Sequence, residues 1–332
     1  MRVLVTGGNG FLGGEICRQL RARGNAVRSV SRRAAPALAA MGVESLQGDL
    51  SVPADAARAV AGVDAVIHVA ALAGVAGAWS LYQSANIDAT ANVLAACRAA
   101  GVARLVYTST PSVAKGRGPL VRAVESTDYP AADFLTHYQR SKAQAEAMVL
   151  AANDAGLATC ALRPHLIWGP GDTNLGPRLV ARSRAGRLRF VGDGQQLVDG
   201  TYVENAAAAH LLALDRLRPG APPAGRAYFI ANDEPVTLAT LMNGILRSSG
   251  APVVTRGVPK ALAWALGAVL ERVWEWFNRP GEPPMTRFLA LNLSSELTFD
   301  LRAARQDLGY APAVSVAEGL RRLAAHHGVA AG

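Results

Sequence analysis

Residues 1–14 read Met-Arg-Val-Leu-Val-Thr-Gly-Gly-Asn-Gly-Phe-Leu-Gly-Gly and decide the fold that the sequence predicts. Residues 3–5 are apolar and predict a short buried strand, whereas residues 15–23 predict a helix with one apolar face. Between them stand glycines in the spacing G-x-x-G-x-x-G, namely Gly7, Gly10 and Gly13. This order of strand, tight turn and helix N-terminus lets the backbone approach a pyrophosphate closely, which indicates a dinucleotide-binding turn.

The composition is that of a globular protein, because 50% of the 332 residues are hydrophobic and 18% are charged. A chain of this length favours one large domain with a smaller lobe. The net charge is +9, but the basic residues are mostly arginines that are dispersed along the chain. This dispersion argues against a nucleic-acid-binding patch, so we expect no nucleic-acid partner.

The cysteines Cys17, Cys97 and Cys160 lie far apart and show neither a metal-ligand spacing nor a disulfide framework. We therefore expect no metal site and a reducing compartment. The first predicted strand begins at residue 3, which leaves no room for a signal peptide, so we expect a cytoplasmic protein.

The second predicted strand, residues 26–31, ends in Ser31-Arg32-Arg33. In dinucleotide-binding units an acidic residue at this strand end holds the ribose 2′-hydroxyl, and none is present here. Two guanidinium groups instead suit a 2′-phosphate, through bidentate and charge-assisted hydrogen bonds. We therefore favour NADP(H) over NAD(H), with a solvated arginine pair as the alternative.

Further strands alternate with helices along the first half of the chain. They are expected at residues 64–70, 105–108 and 157–163, after a third strand that leads into Gly48-Asp49-Leu50. Asp49 either caps the next turn or meets the adenine edge of the cofactor, and Ala70 is small enough to let the cofactor pass. The alternation implies right-handed crossovers and a doubly wound parallel sheet of the α/β class.

Beyond residue 165 the regular alternation of strands and helices stops. We expect residues 1–165 to form the dinucleotide-binding domain, with its sheet completed by residues within 200–232. Residues 166–332 are expected to form a smaller, mainly helical lobe that binds the substrate.

Residues 259–278 predict a helix with an apolar stripe and three tryptophans. Its uncharged run covers only residues 261–270, which is too short to span a bilayer, since a span needs about 20 residues. We favour a buried helix that covers the substrate site. Peripheral contact with a membrane surface or with a pathway enzyme is the alternative, because tryptophans on a basic chain suit an interface.

Tyr138 and Lys142 are four residues apart on a predicted helix and therefore share a face. A free tyrosine has a pKa of about 10 and is a poor acid–base catalyst at neutral pH. An ammonium group one turn away favours the phenolate and lowers that pKa, and Lys142 is also placed to reach the nicotinamide ribose. We expect this pair to be catalytic, with a surface helix pair as the alternative.

A carbonyl substrate also needs a hydroxyl donor for the oxygen that becomes anionic. Ser109, Thr110 and Ser112 follow the fifth strand, at the end of an open α/β sheet where ligands bind. We expect Thr110 to fill this role, with Ser109 as the second choice. Helix or turn capping is the alternative for each of them.

Together these motifs resemble the extended short-chain dehydrogenase/reductases. The motifs are Thr6-Gly7-Gly8-Asn9-Gly10-Phe11-Leu12-Gly13, Tyr107-Thr108-Ser109-Thr110, Tyr138-x-x-x-Lys142 and Leu162-Arg163-Pro164. The resemblance covers essentially the whole chain and implies a Rossmann sheet, a nicotinamide cofactor and the catalytic residues Thr110, Tyr138 and Lys142. It also implies a homodimer formed through the helices of residues 82–100 and 138–152.

Residues 283–288 resemble the 3β-hydroxysteroid dehydrogenase branch of this family. Residues 107–113, 162–172 and 191–194 resemble a subgroup of bacterial enzymes that act on 2-alkyl-3-oxoalkanoates in long-chain olefin biosynthesis. This implies NADPH-dependent reduction of the C3 ketone of a long-chain 2-alkyl-3-oxoalkanoic acid to the 2-alkyl-3-hydroxy acid. A 3β-hydroxysteroid or sterol-4-carboxylate dehydrogenase is the alternative.

The motifs and the resemblance together assign the residues that bind the cofactor. They are Gly7, Gly10, Phe11, Leu12, Gly13, Ser31, Arg32, Asp49, Leu50, Ala70, Tyr138, Lys142 and Pro164. His165, where many relatives carry another side chain, either lines the nicotinamide pocket or simply packs.

Overall fold

The computed structural model describes residues 1–126, 128–277, 279 and 281–329. Two predicted segments extend beyond them: Asn278, at the end of the predicted tryptophan helix, and residues 330–332, at the end of the predicted lobe, lie outside the described residues.

The strands and helices alternate through the first half of the chain. The strands are β1 (Arg2–Thr6), β2 (Ala26–Ser31), β3 (Glu44–Gln47), β4 (Ala65–His68), β5 (Arg104–Thr108), β6 (Leu120–Ala123), β7 (Ala158–Pro164), β8 (Ile167–Trp168), β9 (Phe190–Val191), β10 (Leu197–Val198), β11 (Thr201–Tyr202), β12 (Ala227–Ile230), β13 (Val236–Thr237), β14 (Gly257–Val258) and β15 (Leu297–Phe299). The α-helices are α1 (Phe11–Ala22), α2 (Pro36–Ala40), α3 (Pro53–Val60), α4 (Trp79–Tyr82), α5 (Ala89–Ala99), α6 (His137–Ala151), α7 (Leu175–Arg184), α8 (Val203–Arg216), α9 (Leu238–Ser248), α10 (Lys260–Trp276), α11 (Arg287–Ser294) and α12 (Val316–His326).

The main sheet has the strand order β12-β7-β5-β4-β1-β2-β3. Its neighbouring strands all run parallel. The chain builds outward from β1 to β3 and then crosses to the other side of β1 with β4. The order therefore reverses beside β1, at the place where open α/β sheets bind their ligands. This confirms the doubly wound parallel sheet that the sequence predicts.

Residues along the central strands alternate between two apolar cores. Val3 and Val5 of β1 pack in the core that contains residues of α1 and α8, whereas Leu4 packs with residues of α3 and α5. All three side chains are fully buried. Helices cover both faces of the sheet, and this is why β1 is a continuous apolar run rather than an alternating one.

Residues 166–329 contain more β-strands than the mainly helical lobe that the sequence predicts. A second sheet has the order β13-β10-β15-β6, and β11 pairs with β8 and β14 with β9. β6 lies within the first 165 residues yet pairs with β15, so the two parts of the chain share this sheet. Most of these strands are two residues long, too short to produce a detectable hydropathy period.

The helix α10 differs from the buried helix favoured by its sequence. Only Ala263 and Gly267 are buried, and a Cβ on Gly267 would lie 2.6 Å from the carbonyl carbon of Thr286, just before α11. Large apolar side chains of this segment are exposed, namely Leu262, Leu266, Val269, Trp276 and Phe277. Within the described part of the chain, no helix combines the length and the apolar character that a membrane crossing requires.

Candidate active site

The glycine turn between β1 and α1 is closed by contacts that leave no room for side chains. Gly7 has a φ of +69°, and a Cβ on it would lie 2.9 Å from the Cα of Ala70, just beyond β4. A Cβ on Gly13 would lie 2.8 Å from the carbonyl carbon of Gly7. α1 begins at Phe11, and its cap residue Gly10 supplies no side-chain hydrogen bond. The first-turn N–H groups therefore face the turn uncapped, as an anion site requires.

The end of β2 carries the predicted arginine pair on the surface. Arg32 and Arg33 are both exposed. The Arg32 carbonyl accepts a hydrogen bond from Gln47 Nε2 at 3.2 Å, and Ser31 Oγ donates to the Arg33 carbonyl at 2.7 Å. These bonds hold the backbone of the loop while both guanidinium groups stay accessible to a ligand.

Asp49 performs one of its two predicted roles, the turn cap. Its Oδ1 accepts hydrogen bonds from Ser51 N at 2.9 Å and from Ser51 Oγ at 2.8 Å. These bonds lower the pKa of Asp49, and the charge of Arg32 adds to the effect. Asp49 and Arg32 thus lie on the same edge of the sheet, beside the buried Leu50.

The first turn of α6 is tied to the loop after β5. Thr136 caps the helix, since its Oγ1 accepts a hydrogen bond from Gln139 N at 3.2 Å. The Gln139 side chain donates in turn to the carbonyls of Ser112 and Lys115, each at 3.2 Å. These bonds hold Tyr138, the residue before Gln139, close to the loop that carries Thr110.

Thr110 and Tyr138 are brought together as the sequence predicts. Thr110 is buried, and its Oγ1 accepts a hydrogen bond from Ser112 N at 3.3 Å, at the start of a 3-10 turn over Pro111–Val113. Burial raises the pKa of Tyr138, and a hydrogen bond from the Thr110 side chain opposes this rise. Ser109, the second choice, is also buried, but its Oγ has no hydrogen-bond partner among the described residues.

Lys142 lies under the same end of β5. It is 2% exposed, its Nζ donates to the Thr108 carbonyl at 2.6 Å, and the Nζ lies 4.1 Å from the centre of the Tyr107 ring. Burial lowers the pKa of Lys142 to about 7, against the opposing charge of Glu146. The sequence predicts that Lys142 lowers the pKa of Tyr138. In the structure the pKa of Tyr138 is instead affected by the burial of the tyrosine and by Thr110.

Behind this site Arg163 and Glu146 form a fully buried ion pair, which was not predicted from the sequence. Arg163 Nε lies 3.0 Å from Glu146 Oε2, its Nη2 lies 2.5 Å from Oε1, and both side chains are 0% exposed. Tyr129 Oη donates to the same carboxylate at 2.8 Å. The pair locks α6, one turn beyond Lys142, onto β7. Residues that lie on separate elements leave no periodic signal by which to find it.

A second feature that the sequence leaves open is the environment of His165. His165 Nδ1 lies 2.8 Å from the Asp199 carbonyl oxygen, and its ring packs edge-on against Phe299. Burial lowers the pKa of His165 to about 4, with the hydrogen bond to the Asp199 carbonyl opposing this change and the charge of Lys115 contributing to it. His165 therefore stays neutral beside a buried lysine.

A cleft of about 1250 Å³ opens along the other side of α6. It is lined by residues 75–78, by His137 and Arg140 of α6, and by Trp274 of α10. Tyr138 and Lys142 point to the opposite face of the helix and do not line it. The cleft therefore lies beside the helix that carries Tyr138 and Lys142 without being lined by either residue.

The family model of the 3-beta hydroxysteroid dehydrogenase/isomerase family matches residues 4–257. The chain belongs to this family. Within it, a 2-alkyl-3-oxoalkanoate reductase of Stenotrophomonas maltophilia is 51% identical, over 98% of this chain and 99% of that protein. A 2-alkyl-3-oxoalkanoate reductase of Shewanella oneidensis is 48% identical, over 97% of this chain and 85% of that protein. Both findings confirm the resemblance seen in the motifs.

A solved structure shows the same fold. MoeE5 in complex with UDP-glucuronic acid and NAD is 27% identical and superposes with a TM-score of 0.74, over 98% of both chains. This chain thus shares its overall fold with MoeE5.

Proposed function

We propose that the protein is an oxidoreductase that uses NADPH to reduce the C3 ketone of a long-chain 2-alkyl-3-oxoalkanoic acid. The product is the 2-alkyl-3-hydroxy acid, an intermediate in long-chain olefin biosynthesis. The observation that carries this proposal is the near full-length identity of 51% to a 2-alkyl-3-oxoalkanoate reductase. The hydroxyl pair of Thr110 and Tyr138, with Lys142 beside it, supports the chemistry.

The side chains divide the work of ketone reduction. Thr110 and Tyr138 hold the substrate oxygen between two hydroxyl groups, where negative charge develops. The raised pKa of Tyr138 keeps its phenol protonated at neutral pH, so it is ready to give its proton to that oxygen. A nicotinamide cofactor, when bound, would supply the hydride for C3. The Lys142 ammonium would stabilise the phenolate that this proton transfer leaves, and it would hold the ribose of the cofactor.

The residues present fit a nicotinamide dinucleotide. Gly7 and Gly13 keep the turn free of side chains, and the uncapped start of α1 suits the pyrophosphate. The exposed Arg32, with Ser31, suits a 2′-phosphate, and this is why we propose NADP(H). We assign the remaining contacts to Gly10, Phe11, Leu12, Asp49, Leu50, Ala70, Tyr138, Lys142 and Pro164.

The same proposal assigns different roles to the two parts of the chain. Residues 1–165, completed by β12, hold the cofactor, whereas residues 166–332 shape the substrate site. Among the described residues, the shared sheet of β6 and β15 joins the two parts.

A steroid dehydrogenase is the second candidate, because the matching family model carries that description. A competition assay separates the two. The protein is incubated with NADPH, a long-chain 2-alkyl-3-oxoacid and a 3-ketosteroid, and both products are quantified by mass spectrometry. Preferential reduction of the oxoacid supports the proposal, and preferential reduction of the steroid overturns it.

We further propose that α10 docks on an anionic lipid surface. Trp276 and Phe277 are 78% and 69% exposed, and the basic residues Arg272 and Arg279 accompany them on the surface. Apolar side chains with basic neighbours suit such a surface.

In flotation with phosphatidylglycerol vesicles, the double variant Trp276→Ser/Phe277→Ser should lose binding. The control Val121→Ser, at another exposed apolar residue, should keep it. Equal binding of both variants contradicts the proposal.

A homodimer through α5 and α6 is the remaining proposal. Small side chains, among them Ala95, Ala99 and Ala151, are exposed on these helices and allow close packing. Sedimentation should therefore show a dimer that Ala95→Arg dissociates, and a monomeric wild type contradicts the proposal.

A further inference from the structure

Lys115 is a buried cation without a carboxylate partner among the described residues. Its side chain is 2% exposed, and its Nζ donates one hydrogen bond, to the Gly118 carbonyl at 2.8 Å. An ammonium group has three N–H donors, and burying it without an opposite charge is costly. An anion that binds from outside the protein would offset the free-energy cost of burying the Lys115 ammonium.

The backbone places Lys115 beside the catalytic hydroxyl groups. The 3-10 turn that Thr110 caps ends at Val113, two residues before Lys115. Gln139, the neighbour of Tyr138, donates a hydrogen bond to the Lys115 carbonyl at 3.2 Å. The backbone of Lys115 is thus held in the same loop as Thr110 and against the first turn of α6, which carries Tyr138.

His165 lies close enough to Lys115 for its pKa to be lowered by the lysine charge, and it adds no charge of its own. The Asp199 carbonyl, which can only accept, lies 2.8 Å from His165 Nδ1, so this nitrogen carries the proton. The Nε2 atom then has a free lone pair. An anion that enters here meets one positive charge and a neutral imidazole.

The two buried arginines are already engaged. Arg163 is paired with Glu146, and Arg28 lies 3.0 Å from Glu44 and donates to the carbonyls of Ala59 and Ala61. Among the described residues, Lys115 is therefore the buried cation near Thr110 that no protein group neutralises and that the proposed proton transfer does not use.

We propose that the Lys115 ammonium binds the carboxylate of the substrate and thereby selects 3-oxoacids over ketones without a carboxylate. This inference rests on the proposed function, in which the substrate is a 2-alkyl-3-oxoalkanoate. The carboxyl carbon of such an acid is attached to C2, next to the C3 ketone. Its anion must therefore be bound within a few ångströms of the groups that hold the ketone oxygen, and Lys115 is the buried cation in the loop that follows Thr110.

The test uses the reverse reaction, because 3-hydroxyacids do not decarboxylate as 3-oxoacids do. Oxidation of a 2-alkyl-3-hydroxyalkanoate and of its methyl ester is measured with NADP⁺. Wild type should prefer the acid. Lys115→Met should lower kcat/KM for the acid by about 100-fold, the scale of losing one partner of a buried charge pair. It should change the value for the ester by less than about threefold, since the ester carries no charge.

Two further variants make the result decisive. Lys260→Met removes an exposed lysine on α10 and should leave the acid-to-ester ratio unchanged. Lys115→Gln keeps a polar side chain and should lose the acid preference even if the methionine variant folds poorly. An acid-to-ester ratio that stays at the wild-type value in Lys115→Gln overturns the inference. Wild type that oxidises neither substrate overturns the proposed function, and with it the inference.

Discussion

The Nζ of Lys142 and the carbonyl oxygen of Thr108 lie 2.6 Å apart at the end of β5. This bond holds the ammonium group two residues before Thr110 and over the face of the Tyr107 ring. The site therefore contains a cation whose position is determined by the backbone of the sheet. The same burial lowers its pKa to about 7, so it titrates near neutral pH.

Ketone reduction should lose efficiency as the pH rises through about 7. Lys142 is protonated below its lowered pKa and neutral above it. In the proposed mechanism the ammonium is the form that stabilises the phenolate of Tyr138. A pH profile of kcat/KM should show this falling limb. Lys142→Arg, whose guanidinium stays charged, should lack it while retaining weaker activity. An identical limb in both proteins contradicts the assignment.

The Thr110 hydroxyl should contribute mainly to kcat. Thr110→Val keeps the shape but removes the donor, and loss of one such donor typically costs about 10²–10³ in kcat. Steady-state kinetics should show this loss with little change in KM for NADPH. Thr110→Ser, the matched control, should stay within about tenfold of wild type because its hydroxyl is retained. Wild-type kcat in the valine variant would show that Ser109 or another group holds the oxygen.

Removal of the two arginines after β2 should change the cofactor preference. Arg32→Ala/Arg33→Ala should raise KM for NADPH by about tenfold or more and leave KM for NADH nearly unchanged, because NADH has no 2′-phosphate. Arg187→Ala, at an exposed arginine after α7, serves as the control for a general loss of charge. An equal effect on both cofactors would show that the pair is only a solvated surface feature.

The ion pair of Arg163 and Glu146 should be essential for stability. Glu146→Gln leaves a guanidinium buried without a charge partner, which typically costs about 3–5 kcal/mol. Urea unfolding should show this loss in the free energy of unfolding. Arg163→Met/Glu146→Leu, which removes both charges, should recover much of it. A double variant as unstable as the single one would show that packing, rather than charge, explains the loss.

The sequence was sufficient for the features that depend on local spacing. The glycine turn at Gly7 and Gly13, the parallel strands and the helix of Tyr138 and Lys142 each have a periodic or short-range signal. Thr110 could be placed because the end of a strand determines where the next residues lie. The doubly wound parallel arrangement follows from the alternation of strands and helices and from the handedness of their crossovers.

The remaining features depend on contacts between distant segments. Arg163 meets Glu146 across two elements, and the charge of Lys115 affects His165 because the two residues follow the neighbouring strands β5 and β7. The apolar stripe of α10 is visible in the sequence, but its exposure is not. The pattern does not show that α11 covers only a small part of α10. Such tertiary neighbours leave no signal in one sequence.

The most direct test of the central claim is the product formed from a long-chain 2-alkyl-3-oxoalkanoate and NADPH by wild type and by Tyr138→Phe. Wild type should consume one NADPH for each 2-alkyl-3-hydroxyalkanoate that mass spectrometry detects. Tyr138→Phe should bind NADPH normally but lose about 10²–10⁴-fold in kcat, the usual contribution of a positioned general acid. Absence of the hydroxyacid with wild type, or full turnover by Tyr138→Phe, would contradict the account.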